Sequence, residues 1–221
     1  MANTTKLNTG QTLTPATAAD LNADLKTDIT LNSHEMAWQD SPAVGVIRKR
    51  LYRAGPEEAG RVTSIVRYAP GAAFPPHEHP EGEEILVLEG VFSDERGDWP
   101  AGSYLQNPEG YRHGPWSEAG CTLFVRLRQH PGKRQTVSIL QKDRQWQTKQ
   151  TTANTVAYRF CELSEGIMAD SSAHNAKPDR SLLIDCENPA ALGKQLISSD
   201  LEAYIITGGL TIDDQYWPAG T

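Results

Sequence analysis

The sequence predicts an all-β chain made of two successive barrels of one type, the second degenerate and cut short, and three observations predict it. Short segments rich in β-branched and aromatic residues recur between Gly, Pro and Asp punctuation, the pattern of a sandwich or barrel. One of these segments repeats: Glu84-Ile-Leu-Val-Leu-Glu-Gly90 aligns with Glu202-Ala-Tyr-Ile-Ile-Thr-Gly208 at an offset of 118 residues (202 minus 84). The same offset, without a gap, sets Trp99-Pro-Ala-Gly102 on Trp217-Pro-Ala-Gly220.

The elements follow in order. Residues 1–35 read as an N-terminal arm rich in Thr, Asn and Ala, with one helical candidate over Thr14–Leu25 that Pro15 would open at its first turn. Strands are expected at Val44–Leu51, Arg61–Tyr68, Glu84–Leu88, Ser103–Gln106 and Cys121–Arg128, within a first unit of residues 36–132. In the last of these, Cys121, Leu123, Val125 and Leu127 share one face and Thr122, Phe124, Arg126 and Arg128 the other, so one face belongs in a core. The dense basic run Arg48, Lys49, Arg50, Arg53 reads as an exposed strand edge protected by charge. The polar stretch from His130 to Ala153 reads as a connection, and residues 133–221 as the second unit. That unit stops just after the turn that leads the first one into further strands, so its barrel is expected to be incomplete. Its open edge would then need a cover, either the arm at Asp28–Ser33 or a second copy of the chain in a symmetric homodimer.

Composition narrows the function classes. A chain of 221 residues with 38% hydrophobic residues can bury a core. Its net charge of −7, with basic residues spread along the chain, excludes direct nucleic-acid binding as an expectation. The N-terminus lacks a basic region followed by an apolar run, and no stretch holds the ~18 uninterrupted apolar residues of a membrane helix, so a soluble, cytoplasmic protein is expected. Cys121, Cys161 and Cys186 are odd in number and far apart, which implies no disulfide framework and no zinc knuckle.

The chemistry sits in the first unit. His77 and His79 are two apart, so on a strand both imidazoles project to one face and can meet a shared ion. Glu83, four residues on, can return as an oxygen ligand, and His113 supplies a third imidazole after a Pro-x-Gly turn. A lone buried histidine is more often a hydrogen-bonded core residue. Four ligand-type residues at these spacings point to a divalent-metal site instead. In the repeat the positions matching His77, His79 and Glu83 are Gln195, Ile197 and Leu201, so the second unit is expected to bind no metal. His34, His130 and His174 have no ligand-like neighbours. Three imidazoles and a carboxylate suit zinc, the first choice, or iron, manganese, nickel or cobalt. Tyr104, Tyr111, Arg112 and Trp116 flank His113 and are candidates for lining a small-molecule pocket, while no nucleophile or general base stands out as catalytic.

These residues resemble the two motifs of the cupin superfamily, G-x5-H-x-H-x(3,4)-E-x6-G and G-x5-P-x-G-x2-H-x3-N. Gly71, His77, His79, Glu83 and Gly90 fit the first, and Gly102, Pro108, Gly110 and His113 the second, with Ser117 in place of the final Asn. Glu84 also has a permitted spacing after His79, but only Glu83 leaves six residues before Gly90. The resemblance implies double-stranded β-helix (jelly-roll) barrels, here in two tandem copies, with His77, His79, Glu83 and His113 as ligands. The wording from His77 to Gln129 looks most like the cupin of ChrR-type anti-sigma factors, on His77-Glu-His79, Gly82 to Gly90, Phe92 to Glu95, Pro100 to Gly102, Asn107-Pro108 and Gly120 to Arg128. This closer resemblance implies a regulatory module in an oxidative-stress transcriptional response, with a sigma factor or other regulatory protein as partner. The H-x3-C-x2-C motif of that family's zinc domain does not occur in this sequence. The superfamily also includes metal-dependent dioxygenases acting on diketones and related acids, and that is the alternative.

Overall fold

A computed structural model describes residues 20–24, 27–56, 58–129, 132, 135–150, 156–164, 180–186, 201–212 and 214–221. Among them the only helical segment is a single 3-10 turn at Gln141–Asp143, and every other regular element is a strand. No helix among the described residues is long and apolar enough to cross a membrane.

The main sheet has ten strands and curls around its own apolar face. Its central order is Gln39–Asp40, Val46–Ala54, Arg61–Tyr68, Cys121–Leu127, Glu83–Asp94, Trp116–Ser117 and Ala72–Ala73, all antiparallel where they pair. The twelve-residue strand Glu83–Asp94 is its spine. The first half lies between Cys121–Leu127 and Tyr104–Asn107; the second half pairs with Gly97–Pro100. Between the halves comes Gly90, whose φ is +73°, and the register against Cys121–Leu127 shifts just before it, between Val87 and Glu89. A Cβ at Gly90 would run into the carbonyl oxygen of Gly120, so a glycine is required on both counts.

Period-two alternation decides what is inside. Leu123 and Val125 from one strand meet Ile85 and Val87 from the next, and Phe92 and Leu105 close the cluster. Each such side chain, fully buried, contributes about 1.5–3 kcal/mol. The face assigned from the sequence to Cys121, Leu123 and Val125 is buried. The opposite face is also covered. Tyr104 packs there with Cys161 and Leu163, flanked by Leu86, Val137, Ile139 and Leu183, so that the three-stranded sheet of Trp146–Gln150, Val156–Ser164 and Ser181–Asp185 lies against the back of the main sheet. Phe124 stacks on Tyr204 with ring centroids 5.1 Å apart.

Two segments differ from the sequence reading. The stretch read as a connection carries strands at Val137–Ile139 and Trp146–Gln150, because Val137 and Ile139 reach the apolar back face and Val137–Ile139 pairs with Tyr104–Asn107. The basic run is no exposed edge: Lys49 and Arg50 are buried. Glu58 accepts hydrogen bonds from Arg48 and Arg50, and Lys49 sits over the Trp38 ring while donating to the Ser33 carbonyl. Most of the helical candidate Thr14–Leu25 lies outside the described residues; within it, Leu21 forms a β-bridge with Arg53.

The hairpin Gly209–Ile212/Gln215–Pro218 has the register of Val91–Asp94/Gly97–Pro100 shifted by 118 residues: Val91 faces Pro100 as Gly209 faces Pro218. Its closing bonds correspond as well. Ala101 N donates to Gly90 O and Ala219 N to Gly208 O, both at 2.9 Å, and Gly102 N donates to Val87 O at 2.7 Å as Gly220 N does to Ile205 O at 2.8 Å. Ser33 N donates to Gly220 O at 2.7 Å, so the arm meets this hairpin, with His34 against Gly220.

Candidate metal centre

His77 and His79 lie on the three-residue strand His77–His79, which pairs antiparallel with Tyr111–His113 and sets His77 opposite His113. The three rings cluster with centroids 4.7 Å (His77 to His79), 5.2 Å (His77 to His113) and 4.9 Å (His79 to His113) apart. One nitrogen from each lies within 4.8 Å of the others. His79 Nε2 and His113 Nε2 are 2.9 Å apart, and Glu83 Oε2 is 3.4 Å from the first and 3.5 Å from the second. Donor atoms held ~2.1 Å from a common ion are about 3.0 Å apart at a right angle and about 3.4 Å at the tetrahedral angle. The donor atoms of His79, His113 and Glu83 stand at about this spacing, and the three imidazoles, with one nitrogen of His77 within 4.8 Å of the other two, form a cluster that can hold a divalent ion.

The surroundings orient each donor. His77 Nδ1 is 2.9 Å from the Pro75 carbonyl, which as acceptor leaves Nε2 as the free lone pair. Asn107 Nδ2 donates to Glu83 Oε2 at 2.8 Å. His113 Nδ1 is buried with Asp94 Oδ2 3.5 Å away, at the outer limit of a hydrogen bond. Arg96 ties the last two together: one guanidinium nitrogen donates to Asp94 Oδ2 at 2.6 Å and to Asn107 Oδ1 at 2.9 Å. Burial alone would push the Asp94 carboxyl up, but bonds from His113, Arg96 and Trp99 outweigh it and hold its pKa well below the usual carboxylate range. Burial lowers the pKa of His79, with the Glu83 carboxylate opposing and the other rings and Arg128 adding to it. A neutral imidazole is the form that binds metal.

The structure brings together His77, His79 and His113, with Glu83 beside the last two, and adds Asp94, Arg96 and Asn107, to which sequence reasoning gave no role. Asp94 and Arg96 are two apart on either side of a tight turn, and Asn107 ends the next strand, so their convergence is set by the pairing of Glu83–Asp94 with both neighbours. Glu84 goes the other way. Its Oε1 accepts from Tyr104 Oη, Ser164 Oγ (3.2 Å) and Ser181 Oγ (2.7 Å), and its Oε2 accepts from Arg126 at 2.8 Å. Ser117, where the motif has Asn, donates to the Val91 carbonyl at 2.6 Å and braces the spine strand instead. The positions matching His77 and His79 in the repeat, Gln195 and Ile197, and also His130 and His174, lie outside the described residues. Leu201, matching Glu83, is exposed.

A cavity of about 250 Å³ opens beside the cluster, lined by His77, His79 and Glu83 at one end and by Val62, Ile85 and Leu123 along its wall. Tyr104, Tyr111, Arg112 and Trp116 do not line it. Tyr104 faces the back of the sheet, Trp116 is exposed, and Tyr111 carries the Arg96 guanidinium over its ring, which lies 5.5 Å from that of His113.

Residues 26–131 match the family model described as the ChrR cupin-like domain. Among solved structures, the chain is similar to the anti-sigma factor ChrR of Rhodobacter sphaeroides in complex with SigE, at 24% identity and a TM-score of 0.36 over 42% of this chain and 50% of that one. This chain thus spans half the length of that relative. It is similar to an RmlC-like cupin from Shewanella frigidimarina (18% identity, TM-score 0.39, 46% of this chain and 90% of that). KdgF from a Halomonas species is a further match (25% identity, TM-score 0.37, 46% and 92%). No curated protein matches the chain. The curled all-β sheet, the histidine cluster and the family match coincide on one segment, residues 26–131, which matches the ChrR cupin-like domain of the cupin superfamily.

Proposed function

We propose that the chain is a divalent-metal cupin acting as a sensing module of the ChrR type, with His77, His79, Glu83 and His113 as the ligands and zinc as the resident ion. The observation that carries this is the clustering of three imidazoles, one nitrogen of each within 4.8 Å of the others, with the Glu83 carboxylate 3.4 Å from His79 and 3.5 Å from His113. When bound, the ion supplies Lewis acidity and, if redox-active, electron transfer. The chain's own residues do the rest: Pro75 and Asp94 orient His77 and His113, Asn107 aims Glu83, and Arg96 locks Asp94 to Asn107. The family match supports a regulatory role in an oxidative-stress response, with a sigma factor or another regulatory protein as partner.

Residues 133–221 form, in this reading, a degenerate second cupin that carries no ion. The shared hairpin register and closing bonds at the 118-residue offset support the tandem repeat. That unit serves to cover the back of the first: Arg126 bonds Glu84 and lies 3.3 Å from Glu202, the two glutamates that the repeat relates.

A second reading, a metal-dependent dioxygenase or other small-molecule cupin enzyme, is favoured by the cavity, which gives a small molecule access to the cluster. Metal analysis, followed by exposure to peroxide or singlet oxygen and by oxygen uptake with small diketones, separates the two. An oxidant-driven change in metal content or assembly with no turnover supports the sensor; turnover with bound iron supports the enzyme. A purified protein with no bound metal contradicts both.

A further inference from the structure

The cavity beside the metal centre is not uniformly apolar. Val62, Ser64, Val66 and Tyr68 alternate along one strand toward the interior and all line it. Ser64 stands there 3% exposed, and its Oγ has no hydrogen-bond partner. A buried hydroxyl without a partner costs about 1–3 kcal/mol, and such groups are retained where something fills the gap. Near the mouth, Arg128 also lines the cavity. Among the described residues Arg48 and Arg50 pair with Glu58, Arg96 with Asp94 and Arg126 with Glu84, whereas Arg128 has no ion-pair partner. Its backbone is held at φ +59°, a conformation costly for a side chain of this kind and characteristic of binding sites, by the bond from Arg128 N to Gly82 O. Strand register gives the spacing. Glu83, Leu127 and Val62 form one rung next to Arg128, and Ile85, Val125 and Ser64 form the rung two residues further in, roughly 6.8 Å away.

We propose that this cavity binds a short-chain oxo- or hydroxy-carboxylate, its carboxylate between the metal ligands and Arg128, its aliphatic body along Val62, Ile85 and Leu127, and its second oxygen at Ser64. The volume fits that class. About 250 Å³ corresponds to about eight waters at ~30 Å³ each, less than the ~300 Å³ at which drug-sized sites begin. A charged end suits a guanidinium with no ion-pair partner beside a cation site, and the apolar wall of Val62, Ile85 and Leu127 around the unpartnered Ser64 hydroxyl suits a chain of a few carbons bearing one further oxygen. The proposal rests on the four ligands holding an ion.

The test uses the full-length, metal-loaded protein and three probes: 4-oxopentanoate, pentanoate, which lacks the oxo group, and 2-pentanone, which lacks the carboxylate. Metal content is measured first, and calorimetric titration follows. The wild type binds 4-oxopentanoate several-fold more tightly than pentanoate and does not bind 2-pentanone. Arg128→Gly, which relieves the positive φ while removing the cation, loses at least about tenfold affinity for both acids with its metal content unchanged, and Arg128→Lys keeps most of it. Ser64→Ala equalises the two acids. Metal-loaded wild type that binds neither acid, or Arg128→Gly that binds them as tightly as wild type, overturns the proposal. A wild type that takes up no metal overturns the metal reading beneath it.

Discussion

Glu83 and Glu84, adjacent in sequence, send their carboxylates to opposite faces of one strand: Glu83 Oε2 reaches within 3.5 Å of two imidazole nitrogens, while Glu84 is bonded to Tyr104, Ser181 and Arg126 on the back of the sheet. Substitution should therefore separate metal binding from stability. Glu83→Gln removes a charged donor and is expected to weaken metal affinity by tenfold or more with a small change in Tm. Glu84→Gln breaks a buried ion pair and is expected to cost about 3 kcal/mol of stability with metal content intact. Metal titration beside denaturant unfolding of both variants checks this, and equal loss of metal in the two would show that the faces are misassigned.

Arg96 is a positioning residue. Arg96→Ala leaves Asp94 without its main cation and Asn107 without the donor that fixes its amide, so both Glu83 and His113 lose their orientation. Loss of such outer partners typically lowers metal affinity 10–100-fold. Competition against a chelator measures it, and Asn107→Ala should reproduce the part of the loss that runs through Glu83. Unchanged affinity in both would mean that the ligands orient themselves.

Buried thiols give an independent check on the packing. Burial pushes the Cys121 thiol up to about 11, with a Ser117 bond and a Tyr68 backbone bond opposing, and Cys161 is buried between the sheets. The thiolate is the reactive form, so neither should react with a thiol reagent at neutral pH in the native state. Of the three cysteines only the half-buried Cys186 is expected to label before unfolding. Rapid native labelling of Cys121 would contradict the closed core.

The arm is expected to act as a cover. Deleting residues 1–33 removes the Leu21–Arg53 bridge, the Ser33 N to Gly220 O bond and the carbonyl that accepts from Lys49. At about 1 kcal/mol for each bond, the truncated protein should lose about 2–4 kcal/mol and should gain a tendency to self-associate. Denaturation and light scattering test this; a monomer of undiminished stability would rule the role out.

What the sequence made legible follows from what is local. His77 and His79 share a face because strand periodicity is two, and Cys121, Leu123 and Val125 point inward for the same reason. The roles of Asp94, Arg96 and Asn107 depend on which strands become neighbours, which no local pattern encodes. Lys49 and Arg50 read as an exposed edge because charge density says nothing about Glu58, Trp38 and Ser33 arriving from elsewhere in the chain. Val137 and Ile139 sit in a stretch that reads as a polar connection because no local pattern says that Tyr104 and Cys161 supply the surface they pack on.

The central claim is that His77, His79, Glu83 and His113 hold one divalent ion. Elemental analysis of the purified wild type beside His77→Ala and His113→Ala tests it most directly, with circular dichroism to show that each variant is folded. Removing one of four ligands leaves the ion poorly held, so the wild type should carry a stoichiometric divalent metal and both folded variants should lose it. Full occupancy in either variant, or a folded wild type that takes up no metal when zinc, iron or manganese is supplied, would contradict it.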